Sequence, residues 1–340
     1  MNTSATLERR LAPLRPWLAR AGWIGAAILV GWSLVGWSAR WWWLGEICVN
    51  FTFQLACGGA AAAALLWLGG RRVAALACAA LCAWHLWPVA RLYLPPAPLS
   101  ADAGTTLRVA QANLLYHNQD LTRLVPWLDR EEPELVALLE YAPRWREAVG
   151  DELAARYPHA LVTPDFRDPW SPAVYALALY SKHPFTRAEI VATNERAQEF
   201  LDVELELGGA PLRVLVLHPN RPGESARTAT RNAVLAQAAA RGSFGPRTLV
   251  LADMNATAWS PAYVDFVERT GLREAREGFG RMATWRSERY LEGLWLDLDH
   301  MLVGAGIAVQ GLRRGPDLGS DHRPLVARLA LSTEPGAGRP

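Results

Sequence analysis

The sequence predicts an α/β protein in two parts: three apolar helices long enough to cross a membrane, then a mixed α/β sandwich with helices packed outside two sheets. Three observations predict it. Three apolar stretches of bilayer length fill the first hundred residues. After them, apolar runs of strand length are interspersed with helical periodicity. Two tracts, Leu249-Val-Leu-Ala-Asp253-Met-Asn255 and Gly319-Ser-Asp321-His322-Arg-Pro324, set polar clusters beside apolar runs. Strands buried on both faces read as continuous Val/Leu runs, so polar groups at their ends face costly burial or serve metal or phosphate binding.

Composition divides the chain at the same place. Residues 1–100 hold eight Arg against two acidic residues, ten of the sixteen Trp and all four Cys. Residues 101–340 hold twenty-seven Lys+Arg against thirty-one Asp+Glu, so a charge near +6 is followed by one near −4. Nothing in the second part has the basic footprint of a protein that grips long nucleic acid by its phosphates.

The apolar stretches run from Ala21 to Ala39, Phe51 to Gly70 and Val73 to Tyr93, each near the ~20 residues a helix needs to span a bilayer. Trp41-Trp-Trp43 follows the first, where indole rings favour the headgroup boundary. A cleaved leader is the rival reading of the first stretch, but two more spans follow it. Arg9, Arg10, Arg15 and Arg20 precede the first span and Arg71-Arg72 fills the turn between the second and third, so both clusters are expected in the cytoplasm. Three crossings then put the chain beyond about Leu94 outside it, as a multi-pass cell-membrane protein. Cys48, Cys57, Cys78 and Cys82 lie in or beside the spans and read as small hydrophobes.

Residues 1–94 are thus the membrane region, and Pro95-Pro-Ala-Pro98 opens an extended linker over 95–106. The catalytic part is expected over 107–331, with a disordered tail over 332–340. Strands are expected at Leu107–Leu114, Leu135–Leu139, Val174–Tyr180, Phe200–Leu207, Leu212–Leu217, Thr248–Ala252, Leu296–Val303 and Leu325–Leu331. Helices are expected at Thr122–Glu131, Trp145–Arg156, Ala226–Ala240 and Pro261–Arg269. Phe200–Leu207 alternates and meets Gly208-Gly209 before another apolar run, a hairpin signal that rules out an all-parallel sheet.

Polar residues recur at the ends of the expected strands: Asn113, Glu140, His218, Asp253 with Asn255, Asp299, and Asp321 with His322. Each alone is more often a turn former or a satisfied structural group. Their repetition at one kind of place points to a site. In Gln111-Ala-Asn113-Leu, Leu138-Leu-Glu140-Tyr, Leu217-His218-Pro, Ala252-Asp253-Met-Asn255, Leu298-Asp299-His-Met and Ser320-Asp321-His322-Arg-Pro324, in this order, the chain resembles the metal-dependent endonuclease/exonuclease/phosphatase superfamily. The match spans about Leu107 to Leu331. Ala252 and Met254 stand where that family usually has Gly and Phe.

The resemblance implies a four-layer α/β sandwich whose two sheets converge on a divalent-metal site that cuts a phosphoester. It implies Glu140 as the principal ligand of Mg²⁺ or Mn²⁺, supported by Asn113 and Asp321. Asp253 or His322 takes the proton of the attacking water, Asn255 orients the water or a phosphate oxygen, and His218 donates to a phosphate oxygen or the leaving group. Asp299 fixes the His322 tautomer. Asp297, two residues earlier, is expected on the same strand face, and His300 on the opposite one as a structural residue.

Outside these motifs, His117, His159 and His183 are expected at the surface, and Arg313-Arg314 in a solvated turn. Ser225 reads as a helix cap; Arg221, Arg227 and Arg231 are expected on or near a solvated helix face, with substrate contact as the alternative, since the resemblance implies a loop near the site here. The expected function is a membrane-anchored phosphodiesterase acting on nucleic acid or a lipid head group. The competing class is a catalytically weak hydrolase-like domain used as an extracytoplasmic binding module.

Overall fold

The computed structural model describes residues 12–96, 103–193, 198–287 and 294–332. Arg9, Arg10, half of the expected linker (97–102) and all of the expected tail but Ser332 lie outside those residues. The chain divides into two compact units, one through Leu92 together with Trp259–Pro261, and one comprising the remaining residues from Tyr93.

The first unit holds α1 (Arg15–Trp37), α2 (Trp43–Val49), α3 (Thr52–Leu68) and α4 (Arg72–Arg91). α1 and α4 are long and apolar enough to cross a membrane, and α2 with α3 passes the same test as a pair bent by 66°. Small residues let the helices close in. A Cβ added to Gly59 would lie 2.5 Å from Cys82 Sγ and 2.8 Å from Leu29 Cδ2, so α3 meets α1 and α4 only because that position is bare. Cys78 and Cys82 pack with Leu29, Ala62 and Leu66, as small hydrophobes do.

The second unit opens with β1 (Ala103–Asn113), α5 (Leu124–Glu131), β2 (Leu135–Tyr141) and α6 (Pro143–Arg156). Then come β3 (His159–Val162), β4 (Phe166–Arg167), β5 (Val174–Ser181), β6 (Phe185–Ala192), β7 (Glu199–Leu207), β8 (Ala210–Leu217) and α7 (Ser225–Ala239). It closes with β9 (Thr248–Asp253), α8 (Pro261–Thr270), β10 (Arg273–Glu274), β11 (Trp285–Arg286), β12 (Trp295–Leu296), β13 (Asp299–Val303), β14 (Ile307–Arg314) and β15 (Leu325–Ser332).

One sheet runs β14-β15-β1-β2-β5-β3, with β4 also on β5; the other runs β10-β13-β9-β8-β7-β6. Each is mixed, with one parallel pair: β1 on β2, and β8 on β9. The β7–β8 hairpin turns on Gly208 and Gly209, both at positive φ, as the Gly-Gly signal requires.

Alternation along β1 builds the layers. Leu107 and Val109 enter the core between the sheets with Val214, Val216, Leu249 and Leu251, while Ala110 and Ala112 face Trp127 and Trp145 of α5 and α6. Beyond the other sheet, Leu215 and Val250 pack on Leu235 of α7 and Phe266 of α8. Helices, sheet, sheet and helices make four layers.

Several expectations need correction. β1 starts at Ala103, because it pairs with β15 as far as Ser332. Leu296–Val303 is two strands, and Asp297 falls in the break between them. Its carboxylate accepts from Arg276 Nη1 at 3.0 Å and Arg281 Nη2 at 2.7 Å, away from the partners of Asp299. Ser225 is the first helical residue; Glu224 takes the cap position without a side-chain hydrogen bond. Arg227 and Arg231 are buried rather than solvated, and Arg313-Arg314 ends strand β14 instead of forming a turn.

Candidate active site

Continuing the alternation of β1, Gln111 and Asn113 face the space between the sheets at the strand's C-terminal end. Glu140 reaches the same space by a different device. Leu138 pairs with Ala178 but Tyr141 with Ala176, so β2 carries one extra residue there. Glu140 takes φ +52°, a left-handed conformation, and Tyr141 returns to the outer core beside Tyr180. The bulge re-aims the carboxylate. Its Oε2 accepts the Tyr116 N–H at 2.9 Å, and Leu115 before it is also left-handed, at φ +58°.

Asp253 is the hub. Its Oδ2 accepts from Asn113 Nδ2 at 3.0 Å and faces Nε2 of both His218 and His322 at 3.6 Å. Its Oδ1 accepts the Asn255 N–H at 2.9 Å, which requires Asn255 at φ +49°, a conformation asparagine tolerates better than most residues. The same Asn113 amide reaches Glu140 Oε1 at 3.4 Å. Asp299 is the register partner of Asp253 across β13 and β9; its Oδ2 holds His322 Nδ1 at 2.7 Å and its Oδ1 accepts from Gln111 Nε2 at 3.2 Å.

These charges hold one another in place. Burial would raise the Asp253 pKa, but the charge of His322 and the contact and charge of His218 keep it below the usual carboxylate range. Burial would lower that of His322; the charges of Asp299 and Asp253 carry it well above the usual imidazole value. His218 is raised as well, because Asp253 and Glu140 outweigh its burial.

Seven of the eight expected residues are therefore joined by direct contacts: Asn113, Glu140, His218, Asp253, Asn255, Asp299 and His322. Asn255 turns its carboxamide N–H to Pro219 O at 3.1 Å. Asp321 stands apart in its partners: Oδ2 accepts the Trp285 indole N–H at 3.0 Å, and Oδ1 is buried with no hydrogen-bond partner among the described residues. Among the described residues, carboxylate and imidazole ligand atoms of Asp253, Asp299 and His322 lie within 4.8 Å of one another. Glu140 Oε1, with long contacts from Asn113 Nδ2 at 3.4 Å and His218 Nε2 at 3.8 Å, and the unpartnered Asp321 Oδ1 are oxygen donors of the kind a hard divalent cation takes. The residues fit such an ion.

Sequence reasoning missed Gln111, although its i, i+2 spacing to Asn113 puts both on one face. It also missed Tyr175, whose ring lies 5.3 Å from that of His218, and Trp285, for which no sequence signal exists. His300 is structural, as expected: on the outer face its Nε2 donates to Ala256 O at 2.8 Å. His117 is exposed, while His159 and His183 are half-buried.

The sequence pattern of the Endonuclease/Exonuclease/phosphatase family matches residues 110–322, which holds every residue of this cluster. The chain belongs to that family. No curated protein matches the chain. Among solved structures, an endonuclease/exonuclease/phosphatase from Beutenbergia cavernae is similar over 67% of this chain and 72% of its own, with 17% identity and a TM-score of 0.54. The human nocturnin catalytic domain is similar over 67% of this chain and 95% of its own, with 18% identity and a TM-score of 0.52. D. rerio TDP2, complexed with single strand DNA product, is similar over 66% of this chain and 99% of its own, with 16% identity and a TM-score of 0.50. At these identities the family's fold is what the likenesses carry.

Proposed function

We propose that this family member is a membrane-anchored, divalent-metal-dependent phosphoesterase that hydrolyses phosphodiester bonds. The convergence on Asp253 of side chains from the ends of β1, β2, β8 and β13 and from the loop before β15 carries the reading. Glu140, Asn113 and Asp321 would hold Mg²⁺ or Mn²⁺, which when bound offsets negative charge on a phosphate.

The chain's own residues supply the proton chemistry. Asp253, kept ionised, accepts a proton from the attacking water, and Asn255 shapes its position through the backbone N–H on Oδ1. His322, fixed through Nδ1 by Asp299, presents an Nε2–H to a phosphate oxygen. His218 presents its own Nε2–H to a phosphate oxygen or to the leaving group. The positions of Arg15, Arg20 and Arg71-Arg72 support a site outside the cytoplasm.

The test is a panel of DNA, RNA, sphingomyelin, phosphoinositides and a model diester, assayed with the purified chain. Turnover should require Mg²⁺ or Mn²⁺ and stop with EDTA. Asp253→Ala and His322→Ala should each lower kcat by about 10²-fold or more. Wild-type turnover in either variant, or none on any substrate, would sink the reading.

A further inference from the structure

We propose that Arg227, with Trp170 beside it, forms a subsite next to the catalytic cluster for a second phosphate of the substrate, one that is not cut. The proposal rests on the phosphoesterase reading above and names what distinguishes its substrates.

Arg227 sits in the first turn of α7 and is only 8% exposed. Its guanidinium carbon lies 5.2 Å from the centre of the Trp170 ring. The nearest carboxylate, Asp168, is at the limit of hydrogen bonding, 3.5 Å from Nη2, and its oxygens already accept Trp170 N at 2.9 Å and Ser171 Oγ at 2.5 Å. The Nε–H of Arg227 is buried with no partner among the described residues. So is the carboxamide nitrogen of Asn220, two residues beyond His218. Apart from the 3.5 Å contact of Nη2 with Asp168, the guanidinium has donors to spare.

The surroundings favour an anion. α7 has no acidic residue in its first turn and no side-chain cap, so its leading N–H groups are free of both. Arg221, exposed on the preceding loop, adds a second positive charge; burial and that charge push the Arg227 pKa down, against the opposing charges of Asp168 and of Glu224 at the cap. The place is beside the reaction centre. Tyr175 packs on His218 at 5.3 Å and feels the charges of Glu140, Asp168, Asp253 and Arg227 together.

The experiment is calorimetric binding to the full chain in detergent with EDTA, so turnover does not enter. The ligands are thymidine dinucleotides with and without a 5′-phosphate, and phosphatidylinositol with and without a 4-phosphate in mixed micelles. Wild type should bind the phosphorylated member of at least one pair about tenfold more tightly. Arg227→Gln should bring that ratio to within about twofold of one, and Arg227→Lys, which lacks the planar fork, to between the two. The pair that shows the preference identifies nucleotide or lipid head group as the source. Equal binding of both members of both pairs by wild type overturns the subsite, as does a preference that survives in Arg227→Gln. Diester turnover without the preference would defeat this proposal and leave the phosphoesterase standing.

Discussion

Glu140 reaches the cluster because its backbone takes a conformation that costs about 1–3 kcal/mol in a residue with a side chain. Leu115 and Asn255 share it, and they are three of the four non-glycine residues at positive φ among the described residues. The fourth, Glu132, ends helix α5. Strain is concentrated where the polar groups must converge, and the core on either side holds it there. Asp299 acts at the same scale through His322, which makes it a positioning residue. Asp299→Asn keeps the side chain's size and removes the charge that most strongly raises the His322 pKa. The imidazolium then loses its proton at lower pH, so the alkaline limb of the pH–rate profile should move down. kcat should fall by about 10²- to 10⁴-fold with KM little changed. An unmoved alkaline limb would remove Asp299 from this role.

Among elements, legibility followed burial. Strands covered on both faces, β1, β2, β5, β8, β9 and β15, announce themselves as continuous apolar runs, and the polar residues at their ends came with them. The strands that sequence reasoning missed in the two large sheets, β3, β4, β6, β10 and β14, pair on one side only, at the margins. There a half-wet strand such as Phe185-Thr-Arg-Ala-Glu-Ile-Val-Ala192 shows neither a continuous apolar run nor a clean alternation. The bulge at Glu140 was equally silent, because no glycine marks it. Edge strand β6 is tied inward by Asp202 of β7, which is 1% exposed and accepts from Arg187 Nη2 at 2.9 Å and Arg213 Nη2 at 2.8 Å. Burial would raise the Asp202 pKa, but the two guanidinium groups pull it below the usual value. Asp202→Asn should therefore cost about 2–3 kcal/mol, less than a fully buried pair since Arg187 is 38% exposed. The apparent Tm at pH 7 should drop by about 4–10 °C. A carboxylate with a depressed folded pKa stabilises fully above its unfolded value, about pH 4, and loses that contribution as pH falls through the folded one. Wild type and variant should accordingly converge in Tm below pH 4. A gap that stays constant from pH 7 to pH 3 would rule the ion pairs out as its cause.

At the scale of the whole molecule, the side of a membrane on which the proposed phosphoesterase would work is a question of parity. α1, at 23 residues, spans about 35 Å and α4, at 20 residues, about 30 Å, each matching the ~30 Å hydrocarbon core. α3, at 17 residues, reaches only about 25 Å and needs the bent α2 segment to complete a crossing. If that pair spans, three crossings separate Arg15 and Arg20 from the catalytic unit; if it does not, two crossings return the unit to the side of Arg15. The proposed orientation rests on the arginines. Arg71-Arg72 lies between α3 and α4, on the same side as Arg15 and Arg20 only if the α2–α3 pair crosses, whereas the α1–α2 connection has Arg40 alone. Keeping two basic clusters in the cytoplasm therefore requires the third crossing. An alkaline phosphatase fusion after Thr105 should be active and a green fluorescent protein fusion at the same residue dark. The reverse pair of signals would put the catalytic unit in the cytoplasm and reduce the bent pair to a segment that enters and leaves on one side.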